Sequence, residues 1–549
     1  MNKIHYCLFS LLLSLSFSGL ISRCNAQELT TKSWGLTMKS QQFHLNMELL
    51  NAQDDSIFLS KGVYPIGRIK TLDINTVGFS SSSSIESGIS PQENWNYSAF
   101  CNDASAMNLY FSDMYLDDDD VIYIYSGVYT ESGTIRVTKE DLGNKNTFAT
   151  PAVKGKNIQV KLIRNEGSTS KTTKFKITGL GIIYDNSMFS GDGNCHVDVS
   201  CSEADNWQEQ KDAVMRLIIN EGGILYSCTG TLMNNTSGDQ RRLVLSALHC
   251  VSDATESELA TAVATFNYER NSCGSGAASE TNFLVGLDRL ADSNDAVDGQ
   301  VNPDGSDFVL LELEDEIPVE WNPYWAGWNA ANAVSSSGVA IHHPLGGAKK
   351  ISTYNTSIVS TFLGAPGSHW AVNWTSSANG FGVTEPGSSG CPLFNSNGLV
   401  IGTLTGGFSN CIEEGNTGPD GTDYFGKLFY HWQSNPNSED EKLKEWLDPL
   451  NSGTSSLSGS YNPQVSVEEW EDRNSVQFFP NPAKEFIKFK NVNREMTISV
   501  YDSYGRLCLN SIISPSRKSV SLETLNSGVY FVKQNTEESL ENIGVLVIY

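Results

Sequence analysis

Residues 245–250 have the sequence LSALHC, an apolar stretch that ends in His249 and Cys250. Upstream, residues 228–232 have the sequence CTGTL, so a bridge from Cys228 to Cys250 would fix the backbone beside the imidazole. Closing such a loop stabilises a fold by roughly 3 kcal/mol. We therefore expect a strand that leads to a histidine held in one position.

A carboxylate and a hydroxyl occur further along the chain in similar settings. Residues 306–313, SDFVLLEL, place Asp307 at the start of an apolar strand, where a buried carboxylate needs a partner such as an imidazole N–H. Residues 385–393, EPGSSGCPL, surround Ser389 with glycines that permit a sharp turn. That turn would expose the hydroxyl and let the amides of Gly387 and Ser389 converge on one oxygen.

The order of these residues along the chain is informative. A histidine, an aspartate and a serine follow one another as they do in chymotrypsin-like proteases, and not as in subtilisin or the α/β-hydrolases. Each stretch alone is weak, since a Gly-Ser-Ser-Gly turn is usually only a turn and a histidine beside a cysteine is usually structural. All three in this order favour a serine endopeptidase.

The composition indicates an ordinary globular protein. The 549 residues suggest about three or four domains at roughly 150 residues each. The 47 glycines against 17 prolines fit many short strands joined by tight turns. The formal net charge of −26 argues against nucleic-acid binding, which needs clustered lysine and arginine. An acidic surface favours solubility or the attraction of cationic peptides.

Residues 1–26 are typical of a signal peptide. Lys3 supplies the positive start, and residues 7–21 form an apolar run too short for a membrane span. Cleavage would precede Gln27, and a lipoprotein with Cys24 as the lipid acceptor is the alternative. Because no other stretch is long and apolar enough to cross a membrane, we expect a secreted protein, either extracellular or at the cell surface.

Residues 27–191 alternate between apolar and polar positions and predict a β-sandwich. The runs at 121–125 and 157–163 are clear strand patterns. The acidic run at 117–120 could bind calcium. It lacks the glycine and the distal glutamate of a calcium loop, which favours a solvated acidic turn.

Residues 192–453 form a second predicted domain, which holds most of the tryptophan, histidine and cysteine. It is β-rich and ends in a predicted helix, with a capping box at Ser438 and Glu441 and a stop at Asp448.

Two further regions follow. Residues 454–474 are a predicted linker that begins in a stretch rich in serine, glycine and asparagine. Residues 475–549 contain strand patterns at 497–501 and 528–532 and predict a small sandwich.

Residues 192–453 resemble the bacterial lysyl endopeptidases, a branch of the trypsin-like serine proteases. The shared motifs are SDF at 306–308, CHVDVSC at 195–201, WAGW at 325–328, IHHP at 341–344, GVTEPGSSG at 382–390 and WLDP at 446–449. The resemblance implies an all-β protein, with a chymotrypsin-like double β-barrel and a C-terminal helix between two β-sandwiches. It also implies a triad of His249, Asp307 and Ser389, and an oxyanion hole formed by the amides of Gly387 and Ser389.

The cysteines of an exported chain are read first as disulfides, and the nine beyond the signal segment leave at least one free. The resemblance implies the bridges Cys195–Cys411, Cys201–Cys273 and Cys228–Cys250. Cys101, Cys391 and Cys508 would then be unpaired. The family has a small residue at position 391, so Cys391 is expected to pack as a small apolar group and not to act in redox chemistry.

The family carries a carboxylate in its primary specificity pocket, and Asp423 occupies the matching position within residues 417–426. A desolvated carboxylate favours a lysine or arginine side chain, and the resemblance implies lysine.

The chain departs from the family at two positions whose side chains, in the family, shield the catalytic site. Thr405 replaces a histidine, and no tryptophan occurs near residues 361–363.

The flanking regions also resemble parts of known exported proteins. Residues 27–191 resemble the family's propeptide, with the clearest likeness at 109–113. Residues 475–549 resemble a type IX secretion sorting domain, through FPNP at 479–482 and GVYF at 528–531. The implied partners are peptide or protein substrates and the secretion machinery. The family cuts off its propeptide after lysine, yet no lysine lies between Lys176 and the expected mature start.

Two other classes compete with a protease. One is a secreted adhesion or binding protein that carries an inactive protease-like domain. The other is a metalloenzyme, for which His342 and His343 are the tempting pair. Neighbouring residues on a strand point to opposite faces, so we expect these histidines to be structural and expect neither a metal nor a cofactor.

Overall fold

The computed structural model describes residues 27–33, 36–61, 63–76, 94–118, 120–129, 133–163, 173–185, 195–293, 296–297, 300–301, 305–363, 365–411, 421–434, 438–461, 476–479, 481–490, 492, 494–502, 505–535 and 540–548. The chain divides into two compact units, residues 1–462 and 463–549. The predicted signal segment and the expected mature start lie outside the described residues. Strands dominate both units, which confirms the predicted all-β class.

The N-terminal region is a β-sandwich, as predicted. Its strands are β1 (Gln27–Ser33), β2 (Leu36–Phe43), β3 (Pro65–Asn75), β4 (Asn94–Cys101), β5 (Ala106–Tyr115), β6 (Val121–Tyr125), β7 (Ile135–Val137), β8 (Phe148–Ala149), β9 (Val153–Lys154), β10 (Asn157–Ile163) and β11 (Lys174–Ile183). One sheet has the order β1-β2-β4-β10-β6-β7, and strands β3-β11-β5-β8 belong to the other. The helices are α1 (Met47–Lys61) and α2 (Lys139–Leu142).

Strand β10 shows why the sequence pattern identified this region. Its residues alternate between buried and half-buried positions, so Ile158, Val160 and Leu162 enter the core between the sheets. A side-chain period of two places alternate residues on one face. The predicted strands at 121–125 and 157–163 therefore coincide with β6 and β10.

The acidic run at 117–120 is not the solvated turn that we expected. Asp117 and Asp120 are buried, and the Thr173 hydroxyl donates to Asp120 at 2.6 Å. The same hydroxyl accepts the amide of Asp117 at 2.8 Å. Of the described residues in this run, Asp118 alone, which pairs with Lys139, fits the expectation. A distant strand edge supplies the partner, and local sequence does not reveal it.

The next part of the chain builds a closed barrel. Its elements are β12 (Val197–Asp198), α3 (Gln208–Asp212), β13 (Val214–Glu221), β14 (Ile224–Leu232), β15 (Leu243–Ser246), α4 (Glu256–Leu259), β16 (Val263–Thr265), β17 (Phe283–Val285), β18 (Leu287–Asp292), β19 (Ala296–Val297), β20 (Gln300–Val301) and β21 (Val309–Leu313). Antiparallel pairing runs β16-β13-β14-β15-β21-β18. The barrel closes because β17 pairs with β16 and continues through Gly286 into β18.

A second antiparallel barrel follows. Its elements are β22 (Tyr324–Trp325), β23 (Trp328–Asn329), β24 (Gly338–His342), β25 (Lys350–Tyr354), β26 (Val359–Thr361), β27 (His369–Val372), β28 (Pro392–Asn395), β29 (Val400–Gly407), β30 (Asp423–Lys427), α5 (Leu428–Gln433), α6 (Leu443–Leu447), β31 (Ser456–Leu457) and β32 (Ser460–Tyr461). The order is β25-β24-β28-β29-β30-β27. The amide of Thr375 donates to Thr353 at 2.8 Å and joins the two ends.

The predicted C-terminal helix exists but is shorter than the pattern suggested. Residues Glu439–Glu441 form a separate 3₁₀ turn, and Ser438 makes no side-chain cap. The extended backbone of Lys442 separates this turn from α6, whose Leu443 and Leu447 are buried between the barrels. The predicted stop is confirmed, since α6 ends at Leu447 and Asp448 is its C-cap.

The predicted linker begins later than residue 454. Strands β31 and β32 pair with β23 and β22, so the chain stays on the second barrel through Tyr461. Short serine- and glycine-rich strands resemble linkers in composition, and only their pairing partners distinguish them. The rest of the predicted linker, up to residue 474, lies outside the described residues.

The C-terminal unit is a small sandwich, as predicted. Its strands are β33 (Gln477–Phe479), β34 (Phe486–Lys490), β35 (Met496–Asp502), β36 (Leu507–Ile513), β37 (Ser519–Ser521), β38 (Gly528–Asn535) and β39 (Leu540–Ile548). They form the sheets β33-β34-β37 and β36-β35-β38-β39 around one apolar core.

The N-terminal sandwich and the first barrel share a sheet. Strand β3 pairs with residues 224–226 at the start of β14, which extends the barrel wall into the sandwich. The sandwich core accordingly includes Ile218, Leu225 and Val263 from the barrel. The two regions therefore form one compact unit.

The Cys228–Cys250 bridge gives a test of what holds the first barrel together. Replacing both cysteines by serine should lower the free energy of unfolding by about 3 kcal/mol, because the bridge closes a loop in the unfolded chain. Denaturant unfolding measures the change. Cys508→Ser, which removes an exposed free thiol, is the control and should have no effect. Equal stability of the double variant and the wild type would contradict the prediction.

Candidate active site

His249 follows strand β15 in a single 3₁₀ turn, Leu248–Cys250. Strand β15 is fully buried and pairs with β14 on one side and β21 on the other. The Cys228–Cys250 disulfide ties the turn to β14. The imidazole is therefore held by a rigid strand and a covalent bridge, as the sequence predicted.

Asp307 lies two residues before β21 and is fully buried. Its Oδ2 is 2.7 Å from Nδ1 of His249, and its Oδ1 accepts the His249 amide at 3.0 Å. Its φ of 59° is a left-handed conformation that costs such a residue about 1–3 kcal/mol. The neighbouring Phe308 and Ser293 are joined by three hydrogen bonds, which help to impose this backbone.

Ser389 lies in the turn before β28. Gly387 and Gly390 have φ values of 95° and 80°, which glycine adopts without strain. Within the described part of the chain, the amides of Gly387 and Ser389 donate no hydrogen bond. Two N–H groups are thus available beside the Ser389 hydroxyl.

Contacts between the barrels hold the turn around Ser389 against the first barrel. The Ser389 carbonyl accepts the Thr229 amide at 2.9 Å, and Thr229 follows the cysteine of the Cys228–Cys250 bridge. The Nε2 atom of His249, opposite Asp307, is buried and has no hydrogen-bond partner among the described residues. The imidazole therefore has one nitrogen held by the aspartate and one nitrogen without a partner among the described residues.

The turn around Ser389 is supported by a histidine. The Ser388 hydroxyl lies 2.7 Å from Nδ1 of His342 and accepts the Glu385 amide at 3.2 Å. The Nε2 atom of His342 lies 2.9 Å from the Ser352 hydroxyl. Burial lowers the pKa of His342 well below its usual value, so the ring is neutral. His342 has the structural setting that we expected.

His343 also has a structural setting. It is buried, and its Nδ1 lies 2.9 Å from the Gly347 carbonyl. In the parts of the chain that the structure describes, one group of potential metal ligands lies close together, namely Cys195, His196 and Cys411. Its two cysteines are already bonded to each other.

Sequence reasoning missed His369, which begins β27. Its Nε2 lies 3.0 Å from the Thr405 hydroxyl and its Nδ1 lies 2.6 Å from the Ser368 hydroxyl. Burial lowers the pKa of His369 to about 4, although the negative charge of Asp307 opposes that shift. A neutral imidazole thus lies behind the acid, next to the threonine that replaces the family histidine. Nothing in the local sequence of β27 indicates this position.

Asp423 begins β30 and is fully buried. Its carboxylate accepts hydrogen bonds from the side chains of Trp374, Thr384 and Ser409 and from the Ser409 amide. Burial raises the pKa of Asp423, and these donors oppose that shift. The adjoining residues 417–420 lie outside the described part of the chain.

The three disulfides are Cys195–Cys411, Cys201–Cys273 and Cys228–Cys250, the same pairs that the resemblance implied. Cys391 is buried next to Leu393 in the second barrel core. Burial raises the pKa of the Cys391 thiol well above its usual value, so it packs as a protonated, small apolar group.

Two antiparallel barrels, with a histidine–aspartate pair from the first and a glycine-flanked serine turn from the second, are the architecture of the chymotrypsin-like serine proteases. Residues 195–461 therefore have that fold. Among the described residues, none of the helices has the length and apolar character that a membrane crossing requires.

Comparison with protein families supports this class and narrows it. The family "Lysyl endopeptidase, C-terminal domain" matches residues 189–426, and the family "Secretion system C-terminal sorting domain" matches residues 477–548. These matches confirm the predicted resemblance to the lysyl endopeptidases and the presence of a sorting domain. They also confirm the predicted localisation, secreted or at the cell surface.

A lysyl endopeptidase from Pseudomonas aeruginosa is 27% identical to the chain over 311 residues. The match covers 53% of this chain and 63% of the Pseudomonas protein, which is less than two thirds of its length.

Two solved structures are more distant. A thermostable serine protease, AL20, from an extremophilic microorganism is 13% identical in sequence and gives a TM-score of 0.28. The match covers 40% of this chain and 93% of the AL20 chain. The protease Anisep from Arthrobacter nicotinovorans is 16% identical in sequence and gives a TM-score of 0.28. The match covers 40% of this chain and 90% of the Anisep chain. The fold assignment depends on the strand pairing described above and not on these likenesses.

The turn around Ser389 should tolerate no side chain at position 390. A Cβ on Gly390 would lie 2.2 Å from the Ser246 hydroxyl oxygen and 2.6 Å from the Thr229 carbonyl oxygen. With its φ of 80°, Gly390→Ala should cost roughly 2–5 kcal/mol of stability. Thermal unfolding measures this.

Gly238→Ala is the matched control for that substitution. Gly238 has a φ of 60° but no atom within 4 Å of its Cβ position, so the variant should lose only about 1 kcal/mol. Similar losses in the two variants would mean that the contact with Ser246 and Thr229 is unimportant.

Proposed function

We propose that this protein is a serine endopeptidase in which Ser389 is the nucleophile, His249 the general base and Asp307 the residue that orients it. The observation that carries the proposal is the 2.7 Å contact between His249 Nδ1 and Asp307 Oδ2, with Nε2 left without a partner among the described residues. Serine proteases use this arrangement to move a proton.

In the proposed reaction, Ser389 attacks a peptide carbonyl while Nε2 of His249 accepts the hydroxyl proton. The carbonyl carbon becomes tetrahedral, and its oxygen gains a negative charge. His249 then protonates the leaving amine, and the acyl-enzyme is hydrolysed by the same steps with water. Asp307 holds the proton on Nδ1 of His249 and stabilises the imidazolium that forms.

The amides of Gly387 and Ser389 would stabilise the negative oxygen. Both lack an acceptor in the described chain, and the flanking turn is held by the Ser388–His342 contact. In enzymes of this type, losing one such donor costs about 3 kcal/mol of transition-state stabilisation.

We further propose that Asp423 lies at the base of the primary specificity pocket and that the enzyme prefers lysine on the acyl side of the cleaved bond. Asp423 is a fully buried carboxylate with no positively charged partner among its hydrogen-bond donors. A cationic substrate side chain would supply the missing counter-charge, whereas an apolar one would leave the carboxylate unpaired.

The N-terminal sandwich is proposed to be a propeptide. Strand β3 of the sandwich pairs with the start of β14. Tyr64 and Ile66 of the sandwich line a small cavity together with Gly387. In this position it restricts access to the proposed oxyanion hole. Both this region and the sorting domain would be removed during maturation. The mature start is expected near residues 190–195, and because no lysine lies between Lys176 and that point, either another protease performs the cleavage or it lies elsewhere.

Replacing the proposed nucleophile is the first test. Ser389→Ala should lower kcat by about a million-fold, because the attacking oxygen is lost while the fold is kept. Hydrolysis of a casein substrate and labelling with a fluorophosphonate serine reagent measure the effect. Retained turnover in the variant would refute the triad. Failure of the wild type to react with the reagent would favour a binding protein with an inactive domain.

Substrate preference is tested by mapping the cuts in a defined protein. The wild type should cut after lysine, and Asp423→Asn should lower kcat/KM at those sites by about 100-fold, because an amide provides no counter-charge for the ammonium group. Asp118→Asn changes an exposed aspartate distant in sequence and should have no effect. Wild-type cuts scattered over apolar residues would rule out a cationic pocket.

A further inference from the structure

The two oxygens of Asp423 are very unequally hydrogen-bonded. Oδ2 accepts the indole N–H of Trp374 at 2.6 Å, the hydroxyl of Thr384 at 2.6 Å and the hydroxyl of Ser409 at 2.5 Å. Oδ1 accepts one bond, from the Ser409 amide at 3.1 Å. The three side-chain donors therefore all converge on one oxygen.

A carboxylate oxygen offers two lone-pair sites. The indole of Trp374 and the hydroxyl of Thr384 already occupy both sites on Oδ2. Ser409 is the adaptable third donor, since its hydroxyl also lies 3.2 Å from the Thr384 carbonyl and has one proton to give. Oδ1, with one partner, keeps one site for a further donor.

Oδ1 is also the oxygen that faces the neighbouring strand. A Cβ placed on Gly407 of β29 would lie 1.9 Å from Oδ1, so only a glycine leaves space there. Gly407 pairs directly with Asp423 across the two strands. Oδ1 itself occupies the space beside Gly407, so a side chain at position 407 would displace the carboxylate.

Lysine and arginine place different demands on a carboxylate. An ammonium group is a point charge that is satisfied by one oxygen, whereas the planar guanidinium group binds best as a fork to both oxygens. A carboxylate with Oδ2 filled and Oδ1 open accepts the first and cannot accept the fork.

We propose that Trp374 and Thr384 are specificity-determining residues that favour lysine over arginine by occupying Oδ2 of Asp423. The inference rests on the proposed function, since it assumes that Asp423 receives the substrate side chain. Burial fixes the donors: Trp374 is 4% exposed and packs edge-on against Phe425 at 6.0 Å, and Thr384 is 5% exposed. Neither donor can turn away to make room for a guanidinium group.

The test compares cleavage of two peptides, Ala-Ala-Lys and Ala-Ala-Arg 4-nitroanilide, by the mature enzyme. Trp374→Phe removes the indole N–H and keeps an aromatic ring, and Thr384→Val removes the hydroxyl at nearly constant volume. Ser409 can fill the site that either single variant vacates, so each single variant should change the arginine-to-lysine ratio of kcat/KM little. The double variant should raise the ratio by about tenfold, because a charged hydrogen bond then becomes possible at Oδ2.

The arginine-to-lysine ratio of kcat/KM is the readout because the substitutions should also change the cleavage of both peptides by a common factor. The donors to Oδ2 also favour the ionised form of Asp423, so their loss weakens binding of either cation. That common effect cancels in the ratio of the two substrates.

Trp370→Phe is the matched control. Trp370 lies four residues earlier, is equally buried, and donates its indole N–H to the Ile401 carbonyl at 3.2 Å and not to Asp423. Its removal should leave the ratio unchanged. Thermal unfolding of each variant shows which ones are folded. Where a tryptophan variant is unstable, the combination of Thr384→Val with Ser409→Ala tests the same idea, because it also leaves Oδ2 with one donor.

Each outcome has a distinct meaning. An unchanged ratio in the folded double variant, with lysine cleavage retained, would overturn the inference and leave the proposed function intact. A ratio that rises equally in Trp370→Phe would also overturn it, since the effect would then come from general loosening of the barrel. A wild type that cleaves neither peptide would instead refute the proposed function.

Discussion

The contact between His249 and Asp307 is the interaction on which the rest of the catalytic domain depends. A buried carboxylate without a partner costs several kcal/mol, and Asp307 meets this cost with two hydrogen bonds from one residue, through the ring and the backbone amide. Its left-handed backbone is tolerated because β21 and Ser293 fix the residues that follow. The disulfide at Cys250 and the full burial of β15 hold the other partner.

The second barrel completes the site with the turn around Ser389. Several polar groups of this barrel stabilise that turn or its surroundings. His342 braces Ser388, and the donors around Asp423 hold a buried negative charge close by. His369 places a neutral ring against Thr405, where the family has a histidine on the neighbouring strand.

The N-terminal sandwich completes a wall of the first barrel. Strand β14 pairs with β3 over its first residues and with β15 over its last, so loss of the sandwich would expose an edge at residues 224–226. A buried cluster in which Asp54 accepts bonds from Arg68 and Tyr184 connects α1, β3 and the end of β11. Because the core of the sandwich includes barrel side chains, the two regions stabilise each other before any cleavage.

The sequence by itself determined the fold class, the order of the chemical groups and the presence of a sorting domain, because these depend on local patterns and on motifs long enough to be specific. The alternation in β6 and β10 and the apolar runs that precede His249 and follow Asp307 needed no partner to be recognised. Only the tertiary structure decided features whose partners are distant in sequence. Asp117 and Asp120 are buried because Thr173 reaches them. Strands β31 and β32 form because β23 and β22 pair with them, and Asp423 has one filled oxygen because three separate segments meet there. Hydrogen bonds between remote segments leave no periodic trace in the chain.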